Sequence, residues 1–266
     1  MKLSESAVVL RPRGVAEVVD LAFRVVFSFA FAVYARLALA TLLPAFALVL
    51  LLRYAGGLDA LTIWGVAIGL AIWLEAPFTV AASRLLFKDD LTTRAALRLV
   101  GRRALSYTGA LLTKLFFLCL AALPLLIPLF IVAPQAVFVT EASVLEQAKW
   151  SEAWTRSKRL VMSRSGDAAG ALFSWLTVRV ACVLGAELMC QGIIDDLFGA
   201  GAPLGKLLDD GVTPYALLGL FVSTPLIATA RFLQYIDTRT RSDGWDIQVR
   251  FMAILAREDA NRRVAA

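Results

Sequence analysis

The chain has 266 residues, of which 59% are hydrophobic, with a mean hydropathy of +0.74 and a formal net charge of +6. So apolar a composition leaves too little polar surface to coat a soluble domain, and no stretch is polar enough to supply the basic face that nucleic acid requires. Histidine is absent, which removes the commonest general base, the commonest metal ligand and any Ser/His or Cys/His nucleophile pair. Neither catalysis, a cofactor, a metal nor a nucleic-acid partner is therefore expected.

In chain order, the N-terminal stretch is amphipathic. Glu17, Asp20 and Arg24 form one stripe, and Val15, Val18, Val19, Ala22 and Val26 lie opposite. The same charges interrupt any leader-like apolar core, so no cleavable signal peptide is expected. Apolar segments over 37–52 and 61–86 follow. Next, Arg94, Arg98 and Arg102 recur every four residues, with Leu97, Val100 and Ala104 on another face. The apolar run 107–140 has only Lys114 as a charge, but as one helix it would be about 50 Å long, too long for a core of about 30 Å. Pro124 and Pro128 would break it, so a hairpin of 107–123 and 127–141, fully crossing or re-entrant, is predicted. A third amphipathic stretch sets Lys149, Glu152, Arg156 and Arg159 against Trp150, Trp154 and Val161, with Glu152 and Arg156 as an i,i+4 pair. Apolar segments 168–190 and 211–230 complete the series. Cys119, Cys182 and Cys190 read as small buried hydrophobes, and the last two are about 12 Å apart along one helix, too far to bridge.

Each amphipathic stretch adjoins a span and suits a helix lying in the membrane interface. Charge bias sets the topology. With six spans and a cytoplasmic N-terminus, segments 1–36, 84–106, 144–166 and 231–266 hold five, six, five and seven Lys/Arg, 23 of the 27. The positive-inside rule then places both termini in the cytoplasm of a bacterial inner membrane. The predicted fold is all-α: a polytopic helical membrane protein of about six spans, arranged as three hairpins, each preceded by an amphipathic interfacial helix. It forms a single integral membrane domain over 1–266. Repeats over 10–88, 89–143 and 144–241 are suggested by Arg98-Leu-Val, Arg103 and Gly109-Ala-Leu, which recur as Arg159-Leu-Val, Arg164 and Gly170-Ala-Leu. Residues 242–266 form a cytoplasmic C-terminal helix or tail.

Two charges lie inside spans. Glu75 sits in Ile72-Trp-Leu-Glu-Ala-Pro-Phe and Arg179 near the middle of a later segment. A lone charge at the bilayer centre costs about 2.5–3.5 kcal/mol or more, so the two are predicted to pair. The pair reads either as a staple fixing helix register or as part of a proton or substrate path. Lys114 is close enough to the inner surface to snorkel, and Gly65/Gly69 and Gly166/Gly170 offer small-residue faces for close helix packing. At the last span's cytoplasmic end, Asp237, Arg239, Arg241 and Asp246 form a charged motif, with Asp243 and Gly244 suited to starting a terminal helix. This motif could hold lipid phosphate or a partner, or clamp the tail to the surface helices.

These patterns together resemble one family. Arg11-Pro-Arg-Gly-Val-Ala-Glu-Val-Val-Asp-Leu-Ala-Phe-Arg, the loop 86–103, Ala153-Trp-Thr-Arg-Ser and above all Tyr235-Ile-Asp-Thr-Arg-Thr-Arg-Ser-Asp-Gly-Trp-Asp-Ile are similar to the membrane domain of glycerophosphoryl diester phosphodiesterase-like bacterial proteins. The resemblance covers the membrane half alone. It implies a membrane fold and address, and argues against diester hydrolysis by this chain, which has no histidine-bearing catalytic barrel. The expected function is a non-catalytic membrane scaffold or accessory subunit organising anionic lipids, or a cytosolic or membrane protein partner, at the inner face. The alternative is a transporter or permease-like component for a small or lipidic substrate, with Glu75 and Arg179 lining the path. A continuous polar cavity at that pair would favour transport; a dry, paired core would favour the scaffold.

Overall fold

Helix is the regular structure throughout the described residues of the computed structural model, which are 14–86, 92–123, 128–146, 148–162, 164–199 and 203–242. The amphipathic α1 (Val15–Arg24) continues through one wide turn over Val25–Phe29 and leads into α2 (Phe31–Tyr54). Asp59 caps the next helix through the Thr62 N–H. That helix runs as α3 (Ala60–Trp73) and α4 (Glu75–Leu86). The break between them has a local cause. Pro77 has no N–H to offer the Trp73 carbonyl, and its ring crowds that carbonyl. The neighbouring Ile72 carbonyl, at the same break, accepts from the Tyr107 hydroxyl at 3.0 Å.

The second amphipathic stretch forms α5 (Thr93–Gly101), followed by α6 (Ala104–Ala122). The returning arm is two short helices, α7 (Leu129–Gln135) and α8 (Val139–Leu145), rather than one continuous helix. Pro134 sits at the end of α7, and the gap is bridged from outside: the Ser157 hydroxyl accepts from the Phe138 N–H (3.1 Å) and donates to the Gln135 carbonyl (2.6 Å). Ser157 belongs to α9 (Trp150–Met162). The arm does come back. Ser106, at the start of α6, donates to the Ala148 carbonyl beyond α8. Then come α10 (Ser165–Gly192), α11 (Leu207–Asp210) and α12 (Pro214–Ser242).

Five helical stretches are long and apolar enough to cross a membrane: α2, α3 with α4, α6, α10 and α12; the arm Leu129–Leu145 is shorter. Their arrangement inverts that of a soluble protein. Of the most apolar eighteen residues of α12, 89% are buried, against 22% for α2 and 17% each for α6 and α10. α12 is thus the central post, and it carries the buried polar residues Ser223, Thr224, Thr229, Arg231, Gln234 and Thr238. The perimeter instead exposes Leu39, Leu51, Leu112, Phe116, Phe173 and Leu188. Apolar groups outside and hydrogen-bonding groups inside suit a hydrocarbon solvent, which cannot satisfy a polar side chain. The fold is an all-α helical membrane protein.

Close packing falls elsewhere than the glycine pairs suggest. A Cβ on Gly65, Gly69, Gly166 or Gly170 would meet nothing within 4 Å. The close approach is at Gly219 on α12, where a Cβ would lie 2.3 Å from the Cys182 carbonyl oxygen and 2.7 Å from the Val183 Cα of α10. The cysteines differ from expectation too: Cys119 is exposed on the apolar perimeter, and Cys182 and Cys190 are half-buried.

Candidate functional site

The kink at Pro77 turns Glu75 toward the central post, and the structure brings Glu75 and Arg179 together. Arg179 Nη2 donates to Glu75 Oε1 at 2.7 Å across α4 and α10. The pair is half of a larger cluster. Arg231 on α12 places Nη1 2.6 Å from Glu75 Oε2, and its Nε donates to the Glu141 carboxylate on α8. The Thr140 hydroxyl donates to Glu141 Oε2 at 2.8 Å. Glu75 and Glu141 are at most 1% exposed and Arg231 only 6%, so the charges solvate one another in place of water.

The sequence reading missed Arg231 and Glu141 for the same reason. Arg231 stands immediately after an uninterrupted apolar run and Glu141 closes the second arm of the predicted hairpin, and at either place a charge reads as reaching the membrane surface. Arg231 was accordingly counted among the inner-face cations. In the structure α12 continues for eleven residues beyond it, to Ser242, which places Arg231 inside the helix bundle. The signal was the length of the helix, not its hydropathy.

Beside this cluster lies a cavity of about 530 Å³, lined by α3, α6, α10, α12 and the first residue of α4. Glu75, Lys114, Arg179 and Arg231 form its charged floor, and its walls include Gly65, Gly69, Trp73 and Trp175. Lys114 therefore faces inward to the cavity instead of reaching along the span for the surface. The rim residues Ile68, Leu112, Leu115 and Leu176 are 41–61% exposed, so the cavity opens sideways through the apolar perimeter. Its lining is apolar apart from the floor. It is neither the continuous polar channel nor the wholly dry core that the two functional readings called for.

The charged motif at the end of α12 is engaged with its own protein. Arg241 pairs with Asp237 at 2.9 Å, and Arg239 Nη1 lies 3.1 Å from Glu146 and 3.4 Å from the Tyr235 hydroxyl. Glu146 also accepts from Tyr235 and from Arg156 of α9, the latter at 2.6 Å and shorter than the 3.9 Å to the expected partner Glu152. Burial pushes the Glu146 carboxyl upward, but the Tyr235 and Arg156 hydrogen bonds and the Arg239 and Arg156 charges outweigh it and hold the group below the usual carboxylate range. Asp246, with Asp243 and Gly244, lies outside the described residues.

A second buried carboxylate, Glu187 on α10, accepts from Gln191, the Leu207 N–H and the Thr213 hydroxyl, and so ties α11 and the start of α12 to α10. Among the described residues no group of three or more Cys, Asp and Glu is placed to hold a metal ion. Fold and site together define an all-α helical membrane protein with a charged cavity that opens through the apolar perimeter. Comparisons with protein families, with curated proteins and with solved structures find no match to this chain.

Proposed function

We propose that the protein is a transporter or permease-like component that takes a lipidic substrate from the bilayer, with Glu75 and Arg179 lining the path. The cavity carries this reading: it opens through the apolar perimeter and ends on intramembrane charges. Charges held inside a bundle are costly, and placing them beside empty volume is of use chiefly where a polar group is to be received. In this reading the chain crosses a bacterial inner membrane six times with both termini cytoplasmic, the arm α7–α8 completing the second hairpin. The return of that arm to Ser106 supports it, as does the concentration of 22 Lys/Arg in the four segments once the buried Arg231 is left out.

The scaffold reading keeps one supporting observation. Glu75, Glu141, Arg179 and Arg231 are paired with one another, as a register-fixing staple would be. The resemblance to phosphodiesterase-type membrane domains bears on fold and membrane location in either case. Translocation of a fluorescent acyl lipid across proteoliposome membranes separates the two. Transport predicts flux above empty liposomes that is lost in folded Glu75→Gln and Arg179→Leu proteins. Absence of flux in the wild type, with both variants destabilised, would overturn it and leave the staple.

A further inference from the structure

One cation of the cavity floor has no counter-charge. Lys114 Nζ has no carboxylate within ion-pair distance among the described residues, whereas Glu75 and Glu141 are paired with Arg179 and Arg231. Around it, Arg179 Nε, the Trp175 indole nitrogen and Glu75 Oε2 are buried without a hydrogen-bond partner, Glu75 Oε2 lying 2.6 Å from Arg231 Nη1 as an ion pair. Lys114, Arg179 and Trp175 all line the same cavity. Three cations against two carboxylates leave one uncompensated positive charge at its floor. A buried charge with no counter-charge is costly, so the floor suits an acceptor that carries negative charge.

The walls specify what is attached to that acceptor. Ile68, Leu112, Leu115 and Leu176 continue from the cavity onto the lipid-facing surface, giving an apolar track from floor to bilayer. The recess also depends on Gly65 and Gly69. Glycine in a helix interior is less favourable than alanine, and nothing packs against either position to require it. What the two glycines provide is volume. About 530 Å³ falls in the range of roughly 300–1,000 Å³ usual for small-molecule sites.

We propose that this cavity binds an anionic amphiphile, whose carboxylate or phosphate head meets Lys114 beside Arg179 and whose acyl chain leaves between α3, α6 and α10 along Ile68, Leu112, Leu115 and Leu176. The proposal rests on the cavity being the substrate site of the function above and adds the chemical class of that substrate. An inorganic anion could meet the same donors but would leave the apolar track empty.

The test is equilibrium binding of radiolabelled palmitate to the full chain in zwitterionic lipid nanodiscs. Saturable binding is expected, displaced by phosphatidic acid but not by hexadecanol, which has the tail without the charge, nor by inorganic phosphate, which has the charge without the tail. Lys114→Gln breaks no ion pair and should weaken binding about tenfold. Gly69→Leu fills the recess with the charge cluster intact and should abolish binding at unchanged stability. Displacement by phosphate would reduce the site to an adventitious anion hole, and displacement by hexadecanol would make it a neutral lipid groove. Either result, or binding unchanged in folded Gly69→Leu, overturns the proposal. Binding without lipid translocation would overturn only the transport function; translocation without palmitate binding would overturn only the substrate class.

Discussion

Arg231→Met is the most informative single perturbation of the charge cluster. It removes the 2.6 Å contact with Glu75 and the Nε hydrogen bond to Glu141 together. Glu75 retains Arg179 at 2.7 Å, whereas Glu141, fully buried, is left with the Thr140 hydroxyl alone. Breaking a buried pair from one side costs about 3–5 kcal/mol, because a charge remains with no solvent to replace its partner. The exposed pair Arg24–Asp20, with side chains 74% and 62% exposed, supplies the contrast; Arg24→Met should cost about 0–1 kcal/mol. Equilibrium unfolding from mild detergent micelles into sodium dodecyl sulfate, followed by circular dichroism, gives both values. The double variant Arg231→Met/Glu141→Gln should recover most of the loss, since a neutral amide needs no counter-charge. A loss for Arg231→Met no larger than that of the Arg24 control would refute the argument, as would a double variant no better than the single.

Four further outcomes follow from packing and protonation. Gly219→Ala should destabilise by about 1–3 kcal/mol, because its Cβ meets the backbone of α10 rather than a movable side chain. Gly69→Ala, opening onto free space, should gain roughly 0.5–1 kcal/mol in the same unfolding assay. Ser157→Ala strands the Phe138 N–H and the Gln135 carbonyl in the gap between α7 and α8. That should cost about 1–3 kcal/mol, with faster amide hydrogen exchange at Phe138 as its local sign. Since the Glu146 carboxyl is held low, its contribution is complete above the ordinary Glu pKa of 4.5 and is lost as pH falls through its lowered value. Stability measured from pH 7 to pH 3 should therefore decline on acidification, and Glu146→Gln should flatten that decline; identical profiles would remove the clamp from the account.

Much was legible in the sequence because partitioning into a membrane is a local property. Hydropathy sums over neighbouring residues, so the uncharged run ending at Ala230 and the periodic arginines of 94–102 announce span and amphipathic helix without reference to anything distant. Glu75 was legible for the same reason: a carboxylate inside an apolar run must find a counter-charge wherever the chain goes. The break beside it follows from Pro77, two residues on. Tertiary structure decided everything that depends on which surfaces meet. Arg231 reaches Glu141 across 90 residues of sequence, and neither residue is distinguishable from a loop charge until α12 is seen to continue past it. α12 has an uncharged apolar run of its own, yet it is the buried post, because Arg231 beyond that run needs the carboxylates of α4 and α8, which lipid cannot give. Gly219 likewise takes the close-packing role expected of Gly65/Gly69, which border a cavity instead: whether a missing side chain admits another backbone or leaves a space is set by the neighbouring helix, which no local pattern encodes.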